Sequence, residues 1–202
     1  MDTTPKLRAR ARIALAGPLG FLAGTVAMHF LRDDLDPARR KVSEYATGEW
    51  GLVQSFAFLA LAAGGFALAS CVRAEPGARR PAALLAVFGF GMIAVTLFPA
   101  DPTSRVGSTA VGEIHGAAAF VAFGALALAM ATLARPLVRD GRFGRFAGFI
   151  EAMSVLAIVL FLIQPVVPDE VAGSWQRVFL GVLAGWLSTA GLRYLRLARL
   201  GP

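Results

Sequence analysis

One cysteine, two histidines and two tyrosines are all that this chain of 202 residues holds of those types, and only 16% of it is charged. The lone Cys71 excludes an internal disulfide and any metal site built from several thiolates. It lies at the end of an apolar run and reads as a packed thiol. With two imidazoles there is no His-Glu-x-x-His pattern and no histidine pair four residues apart. So little charge beside 56% hydrophobic residues excludes an ordinary soluble domain. The apolar stretches do not alternate with period two, so the strands of a membrane barrel are not expected either.

Six continuous apolar runs are present, at residues 13–31, 50–72, 82–98, 115–134, 147–166 and about 175–192. Each matches the roughly 17 to 25 residues that a helix needs to cross about 30 Å of hydrocarbon. Only short connections remain, which predicts a single domain over residues 1–202: an all-α compact bundle of six transmembrane helices. A basic stretch before the first run resembles the start of a signal peptide, but the run is nineteen residues long and lacks a small-x-small cleavage pattern. A retained first helix is expected.

Charge sets the orientation. Lys6, Arg8, Arg10, Arg12, Arg73, Arg79, Arg80, Arg135, Arg139, Arg142, Arg145, Arg193, Arg196 and Arg199, fourteen of the 20 basic residues, fall on the side of the two termini. The opposite side holds nine of the 13 acids. Positive loops resist translocation, so both termini are expected in the cytoplasm, in a multi-pass protein of the cell membrane. The net charge of +7 does not point to nucleic acid, because the basic residues sit in separate juxtamembrane clusters. Such clusters suit the membrane, including contact with its anionic lipids.

Small residues four apart let helices approach closely in lipid. Gly20 with Gly24, Ala60 with Gly64, and Gly181 with Gly185 therefore predict a tight bundle or a homodimer seam. In the first outer loop, Asp36 as N-cap, Pro37 at the first helical position and Gly48 as terminator predict a short interfacial helix over 38–47. Val42 and Tyr45 on it would face the membrane, and Arg40 stands four residues before Glu44.

Polar groups inside an apolar span are costly and are usually partnered. Every span carries one near the acidic side: His29, Gln54, Thr96, His115 with Glu113 just before it, Gln164, and Gln176 with Arg177. Their depths agree to roughly two helical turns. On the other side, Glu151 is the one acid within a span and lies near Arg145, a candidate ion pair.

Ser43-Glu44-Tyr45, Phe98-Pro99-Ala100-Asp101-Pro102, His115-Gly116 and Gly173-Ser174-Trp175-Gln176-Arg177 follow one another in an order and spacing that resembles the domain of unknown function 998 family of bacterial and archaeal membrane proteins. The resemblance covers nearly the whole chain. It implies a multi-span bundle with recurrent polar residues at Ser43, Glu44, Asp101, His115 and Arg177, and it implies no activity.

Several functions fit this residue set. The first is a polar site at the extracytoplasmic end that binds a lipid or other amphiphile, with Ser43, Tyr45, Gln54, Gln164, Gln176 and Arg177 as binding groups. A second is a membrane hydrolase or transferase acting on an outer-leaflet lipid headgroup, with His115, Glu44 and Asp101 catalytic and Arg177 holding a phosphate. His29, His115, Asp101 and Glu113 are ligand types suited to zinc, so this enzyme could be metal-assisted. A third is a b-type haem protein using His29 and His115 as axial ligands. Against all three stands a purely structural network in which Glu44, Asp101, His115 and Arg177 pair with one another.

Overall fold

A computed structural model describes residues 4–139 and 147–200. Its helices are α1 (Thr4–Leu31), α2 (Gly51–Val72), α3 (Arg79–Leu97), α4 (Ala110–Arg139), α5 (Ala147–Ile163) and α6 (Ala172–Leu200). Two short 3-10 turns, Val42–Ala46 and Gln164–Val166, complete the regular structure, and no strand occurs among the described residues. All six helices are long and apolar enough to cross a membrane.

The apolar runs mark the spans, while the helices extend further. α1 begins nine residues before its apolar run and α6 ends eight after. Lysine, arginine, leucine and alanine are all good helix formers, so a helix does not stop where hydropathy does. Arg142 and Arg145 lie outside the described residues, and so does the expected Arg145–Glu151 pair.

Each helix packs on its neighbour in sequence, and α1 closes the ring against α6. α2 and α6 also touch one another, and 61% of the apolar window of each is buried, against 22% for α5. α2 and α6 are thus the core pair, and α5 presents most of its surface outward. Trp186 on α6 is fully buried and donates its Nε1–H to Ser154 Oγ on α5 at 3.1 Å. Phe56, Phe90, Leu97 and Leu162 stay exposed, as residues in contact with hydrocarbon do. Arg8 donates to the Ala198 carbonyl at 3.2 Å, which places the starts of α1 and the end of α6 at one end of the bundle.

The small-residue pairs of the first two helices serve a seam within the chain. A Cβ on Gly17 would fall on the Ala60 carbonyl oxygen, one on Gly24 would lie 2.8 Å from Ala57 Cβ, and one on Gly64 would lie 2.8 Å from Pro18 Cδ. Gly20 faces Ala60 in ordinary contact. Pro18 sits inside α1 against this glycine notch. Gly185 meets Met153 of α5, and Gly181 faces open space.

The loop between α1 and α2 departs from expectation. Instead of a helix over 38–47 it forms turns and one 3-10 turn, Val42–Ala46. Val42 and Tyr45 point into the protein at 1% and 0% exposure rather than toward the membrane. The cause lies at the start of α6. The Ala38 carbonyl accepts from Ser174 N at 3.0 Å, and the Arg40 carbonyl accepts from Arg177 at 2.7 Å. Carbonyls aimed at α6 are turned away from the direction that α-helical turns of their own would need. Asp36 caps the first turn by accepting from Ala38 N at 2.9 Å.

Candidate functional site

The loop between α1 and α2 lies across the end of the bundle opposite the termini. Arg32, just past α1, anchors it by donating to the Thr47 carbonyl at 2.7 Å and to both oxygens of Asp34 at 2.7 and 2.9 Å. That guanidinium holds the Asp34 carboxyl below its ordinary range. At the other edge the loop rests on α6. A Cβ on Gly173 would approach the carbonyl oxygens of Arg40, Pro37 and Ala38 to 2.5, 2.6 and 2.9 Å, so only glycine admits the loop there.

Arg177, one turn into α6, is the hub. Its Nε donates to His29 Nε2 on α1 at 2.8 Å. Its Nη1 donates to the carbonyls of Arg40 and Gly173 at 2.7 and 2.9 Å, and its guanidinium lies 5.2 Å from the centre of the Tyr45 ring. The Tyr45 ring in turn meets His29 edge-on at 5.5 Å. Because His29 Nε2 accepts, this imidazole is neutral with its proton on Nδ1. No ion pair to Arg177 is found among the described residues, and its buried Nη2 has no hydrogen-bond partner.

Glu44 forms the second cluster and is only 4% exposed. Its carboxylate accepts from Lys41 N at 3.0 Å, Arg40 at 3.2 Å, Thr103 N at 3.1 Å and the Thr103 hydroxyl. It therefore ties the first outer loop to the loop between α3 and α4. Four donors occupy the lone pairs that a general base would need.

Asp101 does a related task at the start of α4. It accepts from Thr109 N at 2.7 Å and the Thr109 hydroxyl at 2.9 Å, and these bonds hold its carboxyl below the ordinary range. The Thr109 hydroxyl accepts in turn from Gly112 N at 3.0 Å, so the pair caps the helix. Gly112 must lack a side chain, since a Cβ there would fall on the Asp101 carboxylate. Glu113 accepts from the Ser108 hydroxyl at 2.6 Å at this same helix start.

His115 is 7% exposed, and its Nδ1 lies 2.7 Å from the Phe98 carbonyl. A carbonyl only accepts, so Nδ1 carries a proton. His115, Ser43 and Gln176 line a cavity of about 20 Å³ beneath the 3-10 turn, together with apolar residues such as Phe58 and Met92. That is room for about one water molecule. Gln176 also accepts from Val42 N at 2.6 Å and pins the turn above the cavity. Outside, a groove of about 190 Å³ runs over Arg39, Arg40, Thr103, Ser104, Asp169 and Glu170.

Seven of the expected residues thus meet around one short turn: His29, Ser43, Glu44, Tyr45, His115, Gln176 and Arg177. Gln54 lies deeper, buried between α1 and α2, where its Nε2 donates to Thr25 at 3.3 Å and its Oε1 has no partner. Gln164 belongs to the separate turn after α5, with its Oε1 also buried and unpartnered. Sequence reasoning missed Thr103 and Thr109. Their only signal was a hydroxyl close behind Asp101, which is common in loops.

The residues present do not fit a zinc centre. Among the described residues no three of His, Cys, Asp and Glu converge. His29 gives its lone pair to Arg177, while Asp101 and Glu113 cap α4. A b-type haem does not fit either, because the cavity beside His115 has room for about a water and His29 faces a guanidinium.

The fold and this polar end define a multi-pass helical membrane protein. The family model described as "Protein of unknown function (DUF998)" matches residues 15–193, and the chain belongs to that family. No curated protein and no solved structure matches the chain.

Proposed function

We propose that the protein spans the cell membrane with both termini in the cytoplasm, and that its extracytoplasmic end binds the anionic headgroup of a lipid or other amphiphile. The observation that carries this reading is Arg177. A guanidinium at membrane depth, with no carboxylate in ion-pair contact among the described residues and with Nη2 unbonded, is an incomplete ion pair, and a phosphate or carboxylate completes it with charge-assisted hydrogen bonds. The closed cavity is too small for a headgroup, so entry requires the loop to lift off Gln176, Ser174 and Arg177. The asymmetry of basic residues supports the orientation.

Native mass spectrometry of the full chain purified in mild detergent tests the reading. Wild type is expected to retain an anionic phospholipid that Arg177→Gln loses and Arg177→Lys keeps in part. Equal retention by wild type and Arg177→Gln, at equal folded fraction, would sink it.

A second reading, a membrane enzyme acting on an outer-leaflet lipid, is favoured by one observation: His115 and the Ser43 hydroxyl line the same cavity. His115 serves as general base in that case. Turnover of an added phospholipid that His115→Ala abolishes without loss of thermal stability would favour this reading over simple binding.

A further inference from the structure

Toward the terminal end, α2 and α3 line a second opening that owes nothing to the site above. It is a groove of about 360 Å³ lined by Phe66, Ala69, Ser70 and Arg73 from α2 and its exit, and by Arg79, Ala82, Ala83 and Ala86 from α3. Four of its lining residues, Ala69 on α2 and Ala82, Ala83 and Ala86 on α3, are alanines, whose small side chains leave the space unfilled. Its floor is the Phe66 ring, which lies against Gly89 so closely that a Cβ there would come within 2.8 Å of it. Phe90 braces that ring edge-on at 4.8 Å.

The walls are apolar, yet two exposed arginines stand together at the mouth. Neither Arg73 nor Arg79 forms an ion pair among the described residues, whereas Glu75 between them in sequence is taken by Arg193 at 2.7 Å and Tyr194 at 2.6 Å. The nearest carboxylate in sequence is therefore bound to α6. Gly77, at φ 75°, turns the chain so that both arginines flank the same opening. An apolar slot at the edge of a membrane span, topped by two cations, complements one class of molecule: acyl chain in the slot and phosphate on the guanidiniums.

We infer that the α2–α3 groove is a binding site for one anionic phospholipid of the leaflet at the terminal end, held by Arg73 and Arg79. The occupant is a diacyl lipid rather than free phosphate, because most of the lining is apolar and lies within two membrane-spanning helices. Lipid held there fills a gap that the chain's own side chains leave open and so cements α2 to α3.

The experiment uses the full chain in detergent, with phosphatidylglycerol or phosphatidylcholine added, read by native mass spectrometry and thermal melting. Wild type is expected to prefer phosphatidylglycerol by roughly 30-fold, the size of two arginine contacts at an anionic surface. The double variant Arg73→Gln/Arg79→Gln is expected to lose one bound phosphatidylglycerol. Ala83→Leu, which fills the slot and keeps both arginines, is expected to lose it too. All three positions are exposed, so the fold is retained. Unchanged retention by either variant would overturn the inference, as would inorganic phosphate alone stabilising wild type as much as phosphatidylglycerol does. Adding Arg177→Gln to the double variant removes a second lipid only if the opposite end binds one, so the two sites fail or succeed separately.

Discussion

Arg177 Nε donates to His29 Nε2 at 2.8 Å, joining the last helix to the first across the end of the bundle that carries the polar residues. The two residues are 148 positions apart, and the bond exists only because α1 closes the ring on α6. It also fixes the charge state of the pair, since an imidazole that accepts from a guanidinium must be neutral.

Removing the acceptor strands a buried donor. His29→Ala is expected to lower stability by about 2 kcal/mol, the order of a hydrogen bond to a charged group. His29→Gln, whose amide oxygen still accepts, should recover part of that loss. Thermal melting in detergent separates the two, and equal melting of His29→Ala and wild type would refute the bond's role.

Gly173 and Gly181 make an internal comparison on one helix. Gly173→Ala forces a methyl against three carbonyl oxygens that belong to backbone, and overpacking against backbone puts the expected cost near 3 kcal/mol. Gly181→Ala enters open space and should be neutral or slightly stabilising, since alanine is the better helix former by about 1 kcal/mol. Melting temperatures in the reverse order would contradict the packing of the loop on α6.

Glu44 gathers four donors from two loops. Glu44→Ala leaves Arg40 and Thr103 unmatched and is expected to cost about 3 kcal/mol, while Glu44→Gln keeps an acceptor and costs less. Hydrogen exchange of the Thr103 amide is the direct readout. It should accelerate in Glu44→Ala, and protection equal to wild type would argue against the tether.

Asp101 gives stability a pH dependence of known sign. Its carboxyl titrates below its usual value of about 4 because Thr109 donates two hydrogen bonds to the charged form. The stabilisation is therefore complete above that usual value and is lost as pH falls through the lower, folded value. Wild type should lose more thermal stability than Asp101→Asn on acidification across that range. Carboxyl carbon NMR of Thr109→Ala should show Asp101 titrating higher than in wild type, and an unmoved titration would refute the assignment.

Much of this was legible from hydropathy. Spans 50–72 and 82–98 differ from α2 and α3 by a few residues, because a continuous apolar run of that length has few alternatives to a membrane helix. The common depth of His29, Gln176 and Arg177 was legible too, since a rise per residue converts sequence position into height. The loop was not. Asp36, Pro37 and Gly48 are correct helix punctuation, yet Ser174 and Arg177, more than 120 residues away, donate to the Ala38 and Arg40 carbonyls that such a helix would have used. Local signals cannot weigh a competitor that only the closed ring brings near.

Hydropathy and charge along the chain are enough to mark six apolar helices, to bring most polar residues of the spans near one level and to place fourteen of the 20 cations toward the other end. Those properties follow from composition and spacing along one dimension. The tertiary structure alone decided which polar groups meet. It set Glu44 and Asp101 to hold loops and a helix end, left His115 beside a space for a water, and left the buried Nη2 of Arg177 without a hydrogen bond among the described residues. The physical reason is that a hydrogen bond forms over about 3 Å, a scale on which the fold, and not the order of residues, chooses the partner.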